Sequence, residues 1–104
     1  MILFNATWAQ LPFDFYYRRL PGPPLVEHGL PVDLFDRGVL EPPMQLGDLP
    51  TVAALTPGRQ RVWVLLSHDW YNDPQHLIRP AMQRLFPREQ EQRFNGIVVL
   101  DYSR

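Results

Sequence analysis

Arg61-Val-Trp-Val-Leu-Leu66, running into Ser67-His-Asp-Trp-Tyr-Asn-Asp-Pro74, is the stretch that decides the fold. Its first part is β-branched, aromatic and aliphatic, with no polar residue alternating after Arg61. That is the pattern of a strand covered on both faces, hence central in a sheet. The polar residues that follow form a loop, and Asp73-Pro74 reads as a cap and first turn of a helix. The helix would turn Leu77, Ile78, Ala81, Met82 and Leu85 inward at helical spacing, with Pro80 as a kink in its middle. Gln90 to Arg93 then lead to a last strand, Phe94 to Tyr102, with a bulge at Gly96.

Upstream, Ile2 to Ala6 reads as a short buried strand. Thr7 to Arg19 reads as a helix capped by Thr7, with Trp8, Leu11 and Phe15 at helical spacing and Pro12 near its start. Leu20-Pro-Gly-Pro-Pro-Leu25 is a rigid, polyproline-like connector. A second short strand covers Leu25 to His28, and Gly29 to Pro43 forms an irregular loop whose apolar residues pack onto the body. Asp48 to Leu55 reads as a short helix, stopped by Pro57-Gly58. The order is β-α-β-loop-α-β-α-β, which predicts a single α/β domain over residues 1–104. Its small open sheet would have about four strands, mostly parallel, with the last free to lie antiparallel at an edge. Helices would cover the faces, joined by a long Pro-rich loop.

The composition bounds the chemistry. With 104 residues, 45% of them hydrophobic and 12% aromatic, the chain can build the core of one domain. It has no Cys, so disulfides, thiolate metal sites and Cys nucleophiles are excluded. All ten basic residues are Arg, which also excludes Schiff-base lysines and phosphate loops of the Walker type. The arginines are scattered and the net charge is −1, so no basic stripe is present for nucleic acid. The longest apolar runs, Val62 to Leu66 and Ile97 to Leu100, fall far short of the ~20 residues that span a bilayer. The first residues lack the charged and apolar regions of a signal peptide. The chain is expected to be soluble as it stands, and no cofactor or metal is implied.

Three groups of residues carry potential chemistry. Ser67, His68, Asp69, Tyr71 and Asp73 follow the strongest strand, where ligands of open α/β sheets bind. His68 could act there as a general base or metal ligand, with Asp69 or Asp73 as partner. In the alternative, Ser67 and His68 merely close the strand and Asp73 caps the next helix. Asp33, Asp36 and Glu41, with His28 upstream, could hold a hard cation but lack the order of a calcium loop, and read more simply as solvated turn residues. Trp8, Phe13, Phe15, Tyr16 and Tyr17 are too dense for one helix face. They divide between core packing and contact with a loop, a partner or a ligand such as a sugar, and Arg18-Arg19 beside them could meet a phosphate or a neighbouring acidic patch.

Taken in order, Asn5-Ala-Thr-Trp-Ala-Gln-Leu-Pro-Phe-Asp-Phe-Tyr-Tyr17, Gly29-Leu-Pro-Val-Asp33, Leu40-Glu-Pro42, Arg61-Val-Trp-Val-Leu-Leu-Ser-His-Asp69 and Phe94-Asn-Gly-Ile-Val-Val99 form an ordered set. The set resembles the soluble C-terminal, extracytoplasmic region of bacterial membrane glycosyltransferases. These are the protein-mannosyltransferase-like enzymes that use a lipid-phosphate-linked sugar. The resemblance implies an accessory domain excised from a larger membrane protein, placed on the extracytoplasmic face of the cell membrane. Its partners would be the membrane-embedded part of the same polypeptide and a sugar or lipid-linked sugar. In that family the chemistry resides in the membrane part, so no catalytic residue transfers to this sequence. The alternatives are a stand-alone small α/β hydrolase using the Ser67 to Asp73 loop, and a protein-interaction module using the Trp8 to Tyr17 aromatics.

Overall fold

A computed structural model of the chain describes residues 1–5, 26–30, 44–67, 73–94 and 96–104. Five strands form one mixed sheet: β1 (Ile2–Asn5), β2 (Glu27–Gly29), β3 (Arg61–Ser67), β4 (Arg88–Phe94) and β5 (Ile97–Ser103). The spatial order is β2-β1-β3-β5-β4. β1 runs parallel to both β2 and β3, whereas β5 runs antiparallel to both β3 and β4. The strand expected to be central is central. The sheet is nonetheless larger and less parallel than the sequence reading of about four mostly parallel strands.

The difference lies in the hairpin. Phe94 pairs with Ile97, so the stretch expected to be one strand with a bulge at Gly96 is two strands joined by Asn95-Gly96. Gly96 has φ 77°, a conformation open to glycine and strained for other residues. Asn-Gly is a strong two-residue hairpin signal. Here it was masked because Arg88-Glu-Gln-Glu-Gln-Arg-Phe94 has no apolar alternation to mark it as a strand. It is an edge strand, and a charged edge resists pairing with other chains.

Two helices, α1 (Leu49–Leu55, entered through a 3₁₀ turn at Leu46–Asp48) and α2 (Ile78–Leu85), pack on the same face of the sheet. Strand alternation sets that face. Leu3, Val62, Val64, Leu100 and Tyr102 are fully buried there against Val52, Ile78, Met82 and Phe86. Each large side chain so buried contributes about 1.5–3 kcal/mol. Thr56-Pro-Gly-Arg59 stops α1 as a tight turn, with the Arg59 amide donating to the Thr56 carbonyl (3.2 Å) and Gly58 at φ 75°.

Helix α2 begins later than its sequence suggests. Asp73 to His76 make a turn closed by the His76 amide on the Asp73 carbonyl (3.0 Å), so Pro74 precedes the helix. His76 is exposed in that turn at φ 53°. Pro80 therefore falls in the first turn, where its missing N–H would have had no partner, and it does not kink the helix. The far end of α2 is closed by Arg104. Its guanidinium donates to the carbonyls of Leu85 (3.0 Å) and Arg59 (2.9 Å) and lies 4.5 Å from the centre of the Phe86 ring.

Candidate functional site

The parallel strands β1, β2 and β3 end at Asn5, Gly29 and Ser67 on one edge of the sheet, where the sequence placed its reactive loop. Ser67 closes β3 opposite Ile97. Asp73 is only 4% exposed, and its two carboxylate oxygens accept the backbone amides of Leu77 (2.9 Å) and Ile78 (3.1 Å). Those are donors that the start of α2 leaves without an intrahelical partner. Asp73 is thus a helix cap whose oxygens are already occupied. His68, Asp69 and Tyr71, and the aromatic candidates Trp8, Tyr16 and Tyr17, lie outside the described residues, as do Asp33, Asp36 and Glu41. His28 stands in β2 and donates through Nδ1 to the Gly29 carbonyl (2.7 Å). Among the described residues no group of three or more acidic or histidine side chains is placed to hold a metal ion.

Two polar constellations emerge that the sequence did not single out, and both involve β4. On the helix side, Arg79 of α2 holds Glu89 through Nε and Nη2 (2.8 and 3.2 Å) and Glu91 through Nη1 (2.9 Å). The Tyr102 hydroxyl donates to Glu89 at 2.6 Å and the Gln83 amide at 3.1 Å. Burial alone would raise the Glu89 carboxyl, but these donors outweigh it and hold it below its usual value. Burial, with the Glu89 carboxylate beside it, pushes the Tyr102 phenol far up. This network ties α2 to the hairpin, and every group in it has a partner.

On the other side of the sheet lies a cleft of about 200 Å³, walled by Arg61, Trp63, Gln90, Gln92, Val99 and Asp101. The register explains the grouping: Trp63 faces Asp101, which faces Gln90, and Leu65 faces Val99, which faces Gln92. Arg61 forms a two-point ion pair with Asp101, Nε to Oδ1 at 3.0 Å and Nη2 to Oδ2 at 2.6 Å. Its guanidinium carbon lies 4.6 Å from the centre of the Trp63 ring. The hydrogen bonds from Arg61 keep the Asp101 carboxyl ionised below its usual value. The available signal was the alternation in Arg88 to Phe94, which sends Glu89 and Glu91 to one face and Gln90 and Gln92 to the other. A second, more open hollow of about 450 Å³ lies beside β2, between Glu27 and His28 and the turn after α1.

The sheet face turned away from α1 and α2 is apolar beyond the cleft, and at β1 it is covered, since Ile2 and Phe4, the partners of Trp63 and Leu65, are buried. Leu65, Ile97 and Val99 are half-buried and Phe94 is 61% exposed. No helix among the described residues is long and apolar enough to cross a membrane. Comparison with protein-family models, characterised proteins and solved structures gives no match.

Proposed function

We propose that the chain is an accessory soluble domain of a membrane glycosyltransferase that takes its sugar from a lipid-phosphate donor. It is not catalytic on its own, and the catalytic residues lie in another part of the same polypeptide. The ordered sequence resemblance supports this reading. The observation that carries it is the sheet face turned away from α1 and α2, where half-buried Trp63, Leu65, Ile97 and Val99 adjoin the exposed ring of Phe94. A contiguous apolar face with a polar rim is a surface for contact with another molecule. In this role the domain sits on the extracytoplasmic face of the membrane and docks against the membrane-embedded part.

In the competing hydrolase reading Asp73 serves as the cap of α2, both its oxygens accepting backbone amides, which leaves Asp69 as the acid partner of His68. An interaction module of another assembly is the second reading, favoured by the exposure of Phe94. The test is the reading frame around this segment, followed by deletion of the segment from the full-length protein. Transmembrane spans encoded in frame upstream, and loss of sugar transfer on deletion, are the expected results. A reading frame without membrane spans overturns the glycosyltransferase assignment and leaves the interaction module.

A further inference from the structure

Strand β4 ends the sheet on one side, with no described strand beyond it, and all its residues but half-buried Glu89 are exposed. The two-residue turn makes Phe94 and Ile97 a hydrogen-bonded pair. The alternation that follows leaves the N–H and C=O groups of Glu89, Glu91 and Arg93 pointing away from β5. Such a row is a template for another strand. The opposite edge, β2, is three residues long and partly covered, so it offers less. The charges of β4 oppose most strands, but Arg88-Glu-Gln-Glu-Gln-Arg-Phe94 complements its own reverse. Aligned antiparallel about Glu91, Glu89 faces Arg93 of the second copy and Arg93 faces Glu89, two opposite-charge pairs on the helix side. On the other side Gln90 faces Gln92, each amide both donating and accepting, and Arg88 faces the 61% exposed ring of Phe94. Glu91 meets its like, but each Glu91 already carries the guanidinium groups of Arg79 (2.9 Å) and Arg93 (3.0 Å). A two-residue shift either way shortens the paired stretch, and in one direction it sets Glu89 against Glu91.

We propose that β4 pairs antiparallel with β4 of a second copy of this chain, about a two-fold axis at Glu91, joining two five-stranded sheets edge to edge. Glu89, Glu91 and Arg93 then exchange backbone hydrogen bonds across the seam, two for each facing pair. The axis stands perpendicular to the sheet, so both copies keep their helices on one side. On the other side the two faces bearing Phe94 merge into one. The interface is one strand wide, below the ~1,200 Å² of a stable complex, so the dimer is reversible. The pairing does not depend on the accessory-domain reading: the reading frame decides that one, and the association of the 104-residue chain decides this one.

Sedimentation equilibrium of the chain from about 10 μM to about 1 mM should show the mass rising from 12.2 kDa toward twice that value. Because the chain has no Cys, single introduced thiols report the register. Glu91→Cys puts two thiols on facing residues whose Cα atoms are about 5.5 Å apart, within disulfide reach. Arg88→Cys puts them about 20 Å apart. Under oxidation by copper phenanthroline, Glu91→Cys should cross-link about tenfold faster than Arg88→Cys. Gln90→Glu/Gln92→Glu leaves the contacts of α2 untouched and should keep the circular dichroism of the parent. It sets like charges face to face across the seam and should weaken the dimer about tenfold. Three results would each overturn the proposal: a monomer mass at about 1 mM, cross-linking no faster at position 91 than at 88, or a dimer unweakened in Gln90→Glu/Gln92→Glu.

Discussion

Removing the Asp73 carboxylate is the sharpest test of how α2 is anchored. In Asp73→Ala the amides of Leu77 and Ile78 lose the oxygens they reach at 2.9 and 3.1 Å, in a site that is 4% exposed to water. Loss of a helix cap costs about 0.5–2 kcal/mol, and leaving a buried donor unsatisfied costs about 1–3 kcal/mol. Because part of each cost is the same event, a loss of about 2–3 kcal/mol is expected. Asp73→Asn keeps one good acceptor and should lose about half as much. In urea, with a slope of about 1–1.5 kcal/mol/M, the alanine variant should unfold about 1.3–3 M earlier at unchanged slope. In thermal unfolding the shift should be roughly 8–16 °C for each 2 kcal/mol lost. An Asp73→Ala protein within about 0.5 kcal/mol of the parent would show that the carboxylate does not hold the helix. An intact fold combined with the loss of some hydrolytic activity would return Asp73 to a catalytic role and sink the cap reasoning.

Pro80→Ala should cost no more than about 1 kcal/mol by equilibrium unfolding, because Pro80 occupies the first turn of α2 and removes no helical hydrogen bond. A clear gain in stability would mean that Pro80 interrupts a helix that starts earlier. Gly58→Ala and Gly96→Ala should each lose about 1–2 kcal/mol from backbone strain alone, since φ is 75° and 77° and a Cβ would meet nothing within 4 Å. Gly47→Ala, with the same free space and no positive φ, is the control and should be near neutral in the same denaturation assay. Stability should depend on pH through two groups of the α2–hairpin network. Glu89 is held below its ordinary 4.5, so its contribution is present above that pH and lost as pH falls through the lower folded value. Tyr102 is raised above its ordinary 10.0, so its contribution is present below pH 10 and lost as pH rises beyond it. Unfolding curves across pH should show both limbs, with Glu89→Gln flattening the acid limb and Tyr102→Phe the alkaline one.

What the sequence conveyed follows from how each element is specified. β3 announces itself because burial demands a continuous apolar run, and α1 because Pro57-Gly58 can only end it. β4 was silent because its stability comes from pairing along β5 and from ion pairs on Arg79, neither of which leaves an apolar period. Pro80 was misjudged because the first residue of α2 depends on where the Asp73 carboxylate reaches, a contact four and five residues along the chain. The candidate site was the least legible part. Arg61, Trp63, Gln90, Gln92 and Asp101 come from three strands, and Asp101 stands between Trp63 and Gln90 only because β5 is inserted between β3 and β4.

That insertion also explains why one strand can serve two purposes. With β5 between them, β4 lies two strands from β3, at the margin of both faces of the sheet. Toward the helices it meets Arg79 and a buried phenol, and there Glu89 and Glu91 supply charge that is matched. Toward the open face it meets an ion pair already closed on itself, and there Gln90 and Gln92 supply polarity without charge. A one-residue slip of register would exchange the two sets and leave acids beside Asp101 and amides beside Arg79. The two-residue Asn95-Gly96 loop and the seven residue pairs between β4 and β5 oppose that slip. The turn therefore fixes the cleft as firmly as it fixes the fold, although Gly96 does not line it.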